Sequence, residues 1–541
     1  MAKRKREVVP EKDAPEPKEG AAKKPKSSAT KKSQTSTSFK LAAGSTLTIQ
    51  IVAGSYDRVL HGITATIKPA PLDNDSVEPP KKTKKANDSA PVPQPKVEFA
   101  DTFLFNAHNS AIRCLALSPP SAFVPGQTQK VILATGSTDE RINLYNLSAH
   151  PPSSRTVEGS KLLSSLTPRP VLENPKNREL GTLLHHTGNI TRLVFPNRAK
   201  LLSAAEDSEI AVTRVRDWTL LHSFKCPVPK PQGRPTGGDT AVGGRGPSGV
   251  NDFAVHPSNK IMISVSKGER CMRLWNLETG KKSRVLNFDK AVLAELGEGK
   301  WSTGEARRIV WGSSRGGEEE FAVGFERDVL VYGMDCIPKC RALGHNRTKV
   351  HQFAYVEVDG ETEETVLAVS TEDGRVVFVG TAKEDLIAPP ASTDSNGKDK
   401  KHQQQQTVPA ARPVGQLGGK QAGVEGRVKD FVVLPVEIED EDNDGVYKKF
   451  FFVVTAGSDG RVRVWQLSAE ELKLKKNTGK DKDSTAEPEQ VGKLLGTYET
   501  QNRITCLGAF CMIPKPAGAE ESEYEFESSE SEDDDSSDDS E

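Results

Sequence analysis

One hairpin recurs along this chain, and the recurrence constrains the fold more than composition does. Ala456-Gly-Ser-Asp-Gly-Arg-Val-Arg-Val-Trp-Gln-Leu467 reads as the end of one strand, a tight Asp459-Gly460 turn, and an alternating strand closed by Trp465. Asp-Gly between two alternating runs is a strong local hairpin signal, because glycine supplies the positive φ that such a turn needs. The same shape returns at 135–147 with Tyr145 in the tryptophan slot, and at 203–212 with Thr213 there. It returns again at 265–277 with Trp275 and at 369–378 around Asp373. The segment 52–62, with Asp57 in its turn, fits the template as well. A unit of this size cannot bury both of its faces alone, so such units must stack on one another.

A further strand precedes most of these hairpins. Ala107-His108-Asn-Ser-Ala-Ile112-Arg-Cys-Leu-Ala-Leu117 and His186-Thr-Gly-Asn-Ile190-Thr-Arg-Leu-Val-Phe195 share a histidine placed four residues before the strand. Related strands without the histidine begin near Val250, Arg308, Val350 and Val428. Six complete units run from about 100 to 468; two pieces are left over. The strand at 503–510 has no hairpin after it, and the hairpin at 48–67 has no strand before it. Joined, they make a seventh unit from both chain ends, which removes the unpaired edges that invite aggregation. In each unit the turn aspartate accepts hydrogen bonds that hold the hairpin. The histidine can relay from it toward a hydroxyl and the tryptophan. Asp139 with His108, and Asp207 with His186, therefore read as buried structural pairs and not as catalytic dyads, with Asp373, Asp459, Trp275 and Trp465 as their counterparts elsewhere. Such buried polar groups are tolerable only when every member is satisfied.

These units resemble WD repeats, each one four-stranded blade of a β-propeller. The expected fold is therefore all-β: a seven-bladed WD-repeat β-propeller whose N- and C-terminal strands share one blade. Val52-Ala-Gly-Ser-Tyr-Asp-Arg-Val-Leu-His-Gly62, Gly181-Thr-Leu-Leu-His-His-Thr-Gly-Asn-Ile-Thr191, Met272-Arg-Leu-Trp-Asn-Leu-Glu-Thr-Gly280 and Ile504-Thr-Cys-Leu-Gly508 resemble one branch of these proteins. That branch is the p21-activated-kinase-interacting protein family, whose yeast members are the maintenance-of-killer factors. The resemblance implies a nucleolar, non-enzymatic assembly factor for the large (60S) ribosomal subunit, with precursor-particle proteins and rRNA as partners. It also implies an alternative, a negative regulator that binds the regulatory domain of a p21-activated-type kinase. A substrate receptor for a ubiquitin ligase is a third reading. The third hairpin departs from the family pattern, with Lys267-Gly-Glu-Arg270 in place of the aspartate turn.

Charge separates the ends from the middle. The net charge over 541 residues is only −1, yet residues 1–44 are basic and 515–541 acidic and serine-rich. Both are expected to be disordered tails, since neither holds enough apolar surface to bury. Lys3, Arg4, Lys5 and Arg6, with Lys23, Lys24 and Lys26, form basic clusters of nuclear-import type that also suit loose contact with RNA. The propeller is expected to span 45–514, with insertions at about 69–98, 149–180, 227–246, 386–424 and 468–492. No run of eighteen apolar residues occurs, so no transmembrane helix is expected, and the seven scattered cysteines read as reduced thiols. No cofactor, metal or enzymatic site is expected, and the chain is taken as a monomer. Gly244-Arg-Gly-Pro-Ser-Gly249 has the spacing of a dinucleotide loop but precedes a strand, so no helix N-terminus could receive a phosphate. Cations stand at the starts of the last inner strands: Arg347 and Lys349, Arg427 and Lys429, and Arg503. Neighbouring blades would bring these to one mouth of the propeller, suited to rRNA phosphates or an acidic partner.

Overall fold

The computed structural model describes residues 39–42, 44–68, 97–122, 129–152, 171–228, 248–298, 302–344, 348–360, 363–387, 408–440, 445–473 and 488–514. The import clusters, Arg347 and the acidic tail lie outside these residues, as do most of the expected insertions. The described chain is strand after strand, in chain order β1 (Phe39–Leu41), β2 (Leu47–Ser55), β3 (Val59–Ile67) and β4 (Val97–Asn106). There follow β5 (Ile112–Leu117), β6 (Lys130–Ser137), β7 (Ile142–Ser148) and β8 (Arg178–Leu183), then β9 (Ile190–Asn197), β10 (Lys200–Ala205), β11 (Glu209–Arg214) and β12 (Leu220–Lys225). Next come β13 (Val250–Val255), β14 (Ile261–Ser266), β15 (Cys271–Asn276) and β16 (Lys281–Asn287), and a short helix α1 (Lys290–Glu295) capped by Asp289. The chain continues with β17 (Arg308–Ser313), β18 (Glu319–Gly324), β19 (Val329–Gly333), β20 (Pro338–Arg341), β21 (Val350–Asp359), β22 (Glu364–Thr371), β23 (Arg375–Gly380), β24 (Leu386–Ile387) and β25 (Ala410–Gly418). It ends with β26 (Val428–Glu439), β27 (Tyr447–Gly457), β28 (Arg461–Ser468), β29 (Lys493–Glu499) and β30 (Ile504–Cys511).

Short loops make consecutive strands antiparallel neighbours, so the sheets are meanders: β5–β8, β9–β12 and β13–β16 each form one four-stranded sheet. The strands β17–β20 and β21–β23 with β25 do the same, linked through the bridge Arg341↔Ala410. The two orphan pieces meet. β30 pairs antiparallel with β2, Gly54 opposite Cys506 and Val52 opposite Gly508, in a sheet ordered β30-β2-β3-β4. Residues from the two ends of the described chain thus share one ladder. A side chain at Gly54 would not fit, because a Cβ there would stand 2.6 Å from the Cys506 sulfur and 2.8 Å from Ile112.

Two expectations about the ends of order are corrected. Phe39–Leu41 falls within the expected tail, yet it forms β1 and pairs parallel with β26, with Leu41 buried. Its apolar alternation gives it a face to bury against the overhanging end of β26, which the charged residues before it do not have. The expected insertion 386–424 contains β24 and β25, and β25 is the outer strand that completes the β21–β23 sheet. Its Gly, Gln and Pro content reads as loop, but Pro413 sits next to a register shift on the strand's edge, where a missing N–H is harmless.

Alternating Val, Ile, Leu and Phe on both sheet faces pack against the neighbouring sheets. One cluster joins Ile49, Ile51 and Ile63 of β2 and β3 to Val454, Val462 and Val464 of β27 and β28. Another joins Leu202 and Ile210 to Phe253 and Trp275 across the next boundary. The first strands contact one another in the order β5, β9, β13, β17, β21, β26 and β30, and β30 contacts β5. Side chains fasten these contacts. Asp252 accepts from the Ile309 N–H at 3.0 Å and Asp430 from the Leu507 N–H at 2.9 Å, each reaching the following first strand. Thr505 Oγ1 donates to the Ile112 carbonyl (2.6 Å) and Thr191 Oγ1 to that of Val250 (2.7 Å). A register shift near the start of most first strands, as between Val250 and Asp252 and between Val428 and Asp430, re-aims these side chains sideways.

Candidate functional site

The residues singled out in the sequence fall into two places. The first is the set of hairpin ties. His108 Nδ1 lies 3.1 Å from Asp139 Oδ2, and its Nε2 lies 2.9 Å from Thr135 Oγ1. His186 repeats this, 2.8 Å from Asp207 Oδ2 and 2.8 Å from Ser203 Oγ. Both ring nitrogens of each histidine are engaged and both rings are buried, so neither is presented to a substrate. Burial holds His108 below its ordinary pKa, against the pull of Asp139. For Asp139 burial acts upward, but the N–H groups of Asn109 and Arg141 and the His108 ring outweigh it and hold the carboxyl down. Trp275 Nε1 donates to Ser264 Oγ (2.8 Å) and Trp465 Nε1 to Thr455 Oγ1 (3.2 Å). In the β9–β12 sheet Thr213 stands in the tryptophan slot. His185 Nε2 reaches Ser203 Oγ there instead, at 3.1 Å.

In three of the sheets that lack the histidine, an arginine takes its place. Arg463 donates to Asp459 at 2.7 Å, with its side chain buried. Arg375 Nε donates to Asp373 at 2.7 Å, and Arg273 grips Glu269 with both terminal nitrogens. Sequence reasoning missed these arginines. The signal was present as an acid followed four residues later by arginine, Glu269 to Arg273 and Asp459 to Arg463, on a strand whose faces are both covered.

The second place is the N-terminal end of the first strands. Arg307, Lys349, Arg427 and Arg503 each stand immediately before a first strand, those of β17, β21, β26 and β30, which contact one another in that order. The corresponding residues before β5, β9 and β13 are Ala111, Asn189 and Gly249, so the cations that immediately precede a first strand occupy one arc. Arg307 was not among the residues anticipated. Carboxylates from the hairpin turns meet part of this charge: Glu326 faces Lys349 (3.2 Å) and Arg307 (3.5 Å), and Glu372 faces Arg427 (3.0 Å). Lys349 pulls Glu326 below the ordinary carboxylate range. Among the described residues Lys429 and Arg503 form no ion pair. Lys429 has its pKa lowered by burial first, then by Arg427, Arg503 and Lys349 around it. Glu372 pulls the other way, and four of the five anticipated cations stand at the starts of three successive first strands, β21, β26 and β30. Just inside lies His351, pushed down to about 4 by burial and by Lys429, with Nε2 buried and unpartnered among the described residues. The Arg503 guanidinium lies over the Tyr56 ring, 5.6 Å from its centroid. Mutually repelling cations of this kind gain stability from an incoming anion.

A family model described as "WD domain, G-beta repeat" matches residues 100–146. The chain is 28% identical over 453 residues to Protein MAK11 of Saccharomyces cerevisiae, covering 80% of each chain. It is 25% identical over 462 residues to a p21-activated protein kinase-interacting protein 1-like of Gallus gallus, covering 85% of this chain and 80% of the relative. The protein of the same name from Xenopus laevis is 22% identical over 421 residues, 78% of this chain and 76% of its own length. Similarity therefore extends over most of the strand-bearing chain and bears out the resemblance drawn from its motifs.

Proposed function

We propose that this chain, which belongs with the WD-repeat proteins named MAK11 and p21-activated protein kinase-interacting protein 1-like, is a non-enzymatic scaffold in assembly of the large ribosomal subunit. In this reading residues 45–514 make one seven-bladed propeller closed by the β2–β30 ladder, and the segments beyond it are tails. The cyclic order of first-strand contacts supports that count, if the two halves of the sheet joined at Arg341 are taken as separate blades. The arc of Arg307, Lys349, Arg427, Lys429 and Arg503 carries the functional reading. Several cations on rigid strands, only partly neutralised, suit the phosphates of precursor rRNA or an acidic assembly protein. The basic clusters at Lys3–Arg6 and Lys23–Lys26 would direct the protein to the nucleus and nucleolus. Sedimentation of cell extract tests this: the protein should co-migrate with precursor large subunits and leave them at high salt. Its absence from those fractions would contradict the reading.

The second reading, inhibition of a p21-activated-type kinase through its regulatory domain, is favoured by the names of the Gallus and Xenopus relatives. Co-purification with a kinase to the exclusion of precursor particles would establish it over the first.

A further inference from the structure

We infer that the cationic arc binds a single-stranded RNA, with Tyr56 as the platform on which one unpaired base stacks. This rests on the assembly reading and deepens it by naming the form of nucleic acid and the residue that selects it. Tyr56 projects from the β2–β3 turn and is 59% exposed, the largest exposure of any aromatic side chain in the described residues. Burial does not explain its ring, and the backbone that carries the ring is held. The Tyr56 N–H donates to the Arg503 carbonyl at 2.8 Å, and the Val59 N–H closes the turn onto Ser55 Oγ at 3.0 Å. The Arg503 N–H faces Asp57 at 3.5 Å. The platform therefore sits on the ladder that joins the two chain ends, and little order need be gained on binding.

An exposed aromatic ring beside cations is the arrangement by which proteins hold unpaired nucleotides: the ring takes a base face and the cations track the backbone. Here the Arg503 guanidinium lies against the ring and Lys429 stands near the start of the neighbouring strand β26, and neither forms an ion pair among the described residues. Arg427 and Lys349 extend the track over the next two sheets. Glu326 and Glu372 pair with Arg307, Lys349 and Arg427 and thin the charge there, which leaves Lys429 and Arg503 as the cations of the arc without an ion pair among the described residues. A duplex hides its base faces and cannot use Tyr56. An acidic peptide could use the cations but gains nothing from an open ring.

The test is fluorescence anisotropy of the full chain with a labelled single-stranded oligoribonucleotide of about a dozen nucleotides, and with its duplex. The single strand should bind more tightly than the duplex. Tyr56→Ala should weaken it about tenfold without changing the dependence on salt, and Tyr56→Phe should retain binding. Lys429→Ala should instead flatten the slope of log affinity against log salt by about 0.7. Tyr56 is too exposed for its replacement to disturb folding, and circular dichroism checks that. Equal binding of duplex and single strand, or an unaffected Tyr56→Ala, overturns the inference while leaving the assembly reading intact. So does displacement by polyglutamate with no RNA binding, provided the protein still co-sediments with precursor subunits. Loss of that co-sedimentation as well would remove both.

Discussion

The hairpin of β10 and β11 and the hairpin of β27 and β28 have the same turn and opposite fastenings. In the first, His186 bridges Asp207 and Ser203 through its two ring nitrogens. In the second there is no histidine, and buried Arg463 reaches Asp459 across four residues of its own strand. The need is common to both: a carboxylate at a turn between packed sheets must find donors. A histidine supplies them from the preceding loop and ties two segments together. An arginine supplies them from within the hairpin, so the preceding loop is held by the Ser458 N–H donating to the Arg427 carbonyl (2.9 Å) and not by a histidine side chain, and Gly426 occupies the space beside Asp459. The arginine brings a full charge into a covered interface, whereas the histidine brings one only when protonated.

Four substitutions can break or sharpen that contrast. Arg463→Ala leaves Asp459 without its buried partner and should cost about 3 kcal/mol in urea unfolding. His186→Ala removes the bridging ring and exposes two smaller deficits, at Asp207 and Ser203, so about 2 kcal/mol is expected. Equal losses from the two would mean that the arginine's charge is irrelevant. The third prediction concerns pH. His185, beside His186, is pushed down by burial to about 4 from an ordinary 6.5, so the folded form refuses a proton that the unfolded chain accepts. Stability contributed by His185 is therefore present above pH 6.5 and lost as pH falls toward 4. From neutrality to about pH 5 the loss should be about 1–2 kcal/mol, and His185→Gln should remove it. Asp207, whose carboxyl is held below its ordinary value of 3.8, loses its contribution only below that window. The smallest effect belongs to Arg461, two residues from Arg463, whose pairing with Glu499 at 2.7 Å is roughly half exposed on both sides. Arg461→Ala should cost less than about 1 kcal/mol.

What could be read from the residues follows from what each rule senses. The Asp459-Gly460 turn, with Gly460 at φ +76°, and the alternation around it are local, and local chemistry located nearly every hairpin. The pairing of residues near 54 with residues near 506 came from arithmetic, two incomplete units that complete each other. β25 escaped because Gly, Pro and Gln carry no strand signal, and only the unfilled edge of β23 makes that stretch extend. The replacement of histidine by Arg273, Arg375 and Arg463 escaped for a different reason. Arginine on an alternating strand reads as solvent-facing until a neighbouring sheet covers it. Cations ahead of the last inner strands were legible by position, but Arg307 and the neutralising Glu326 and Glu372 belong to turns that only the stacking of sheets brings near.

The central claim is that both chain ends share one sheet, and a crosslink tests it directly. In the ladder of β2 and β30, Ile49 stands directly opposite Cys511, so a cysteine introduced by Ile49→Cys faces a native thiol across the joined ends. After mild oxidation and digestion, mass spectrometry should recover the peptide containing position 49 disulfide-linked to the peptide containing Cys511 from a monomeric chain. An introduced thiol that stays free, or that bridges only between separate molecules, would contradict the account.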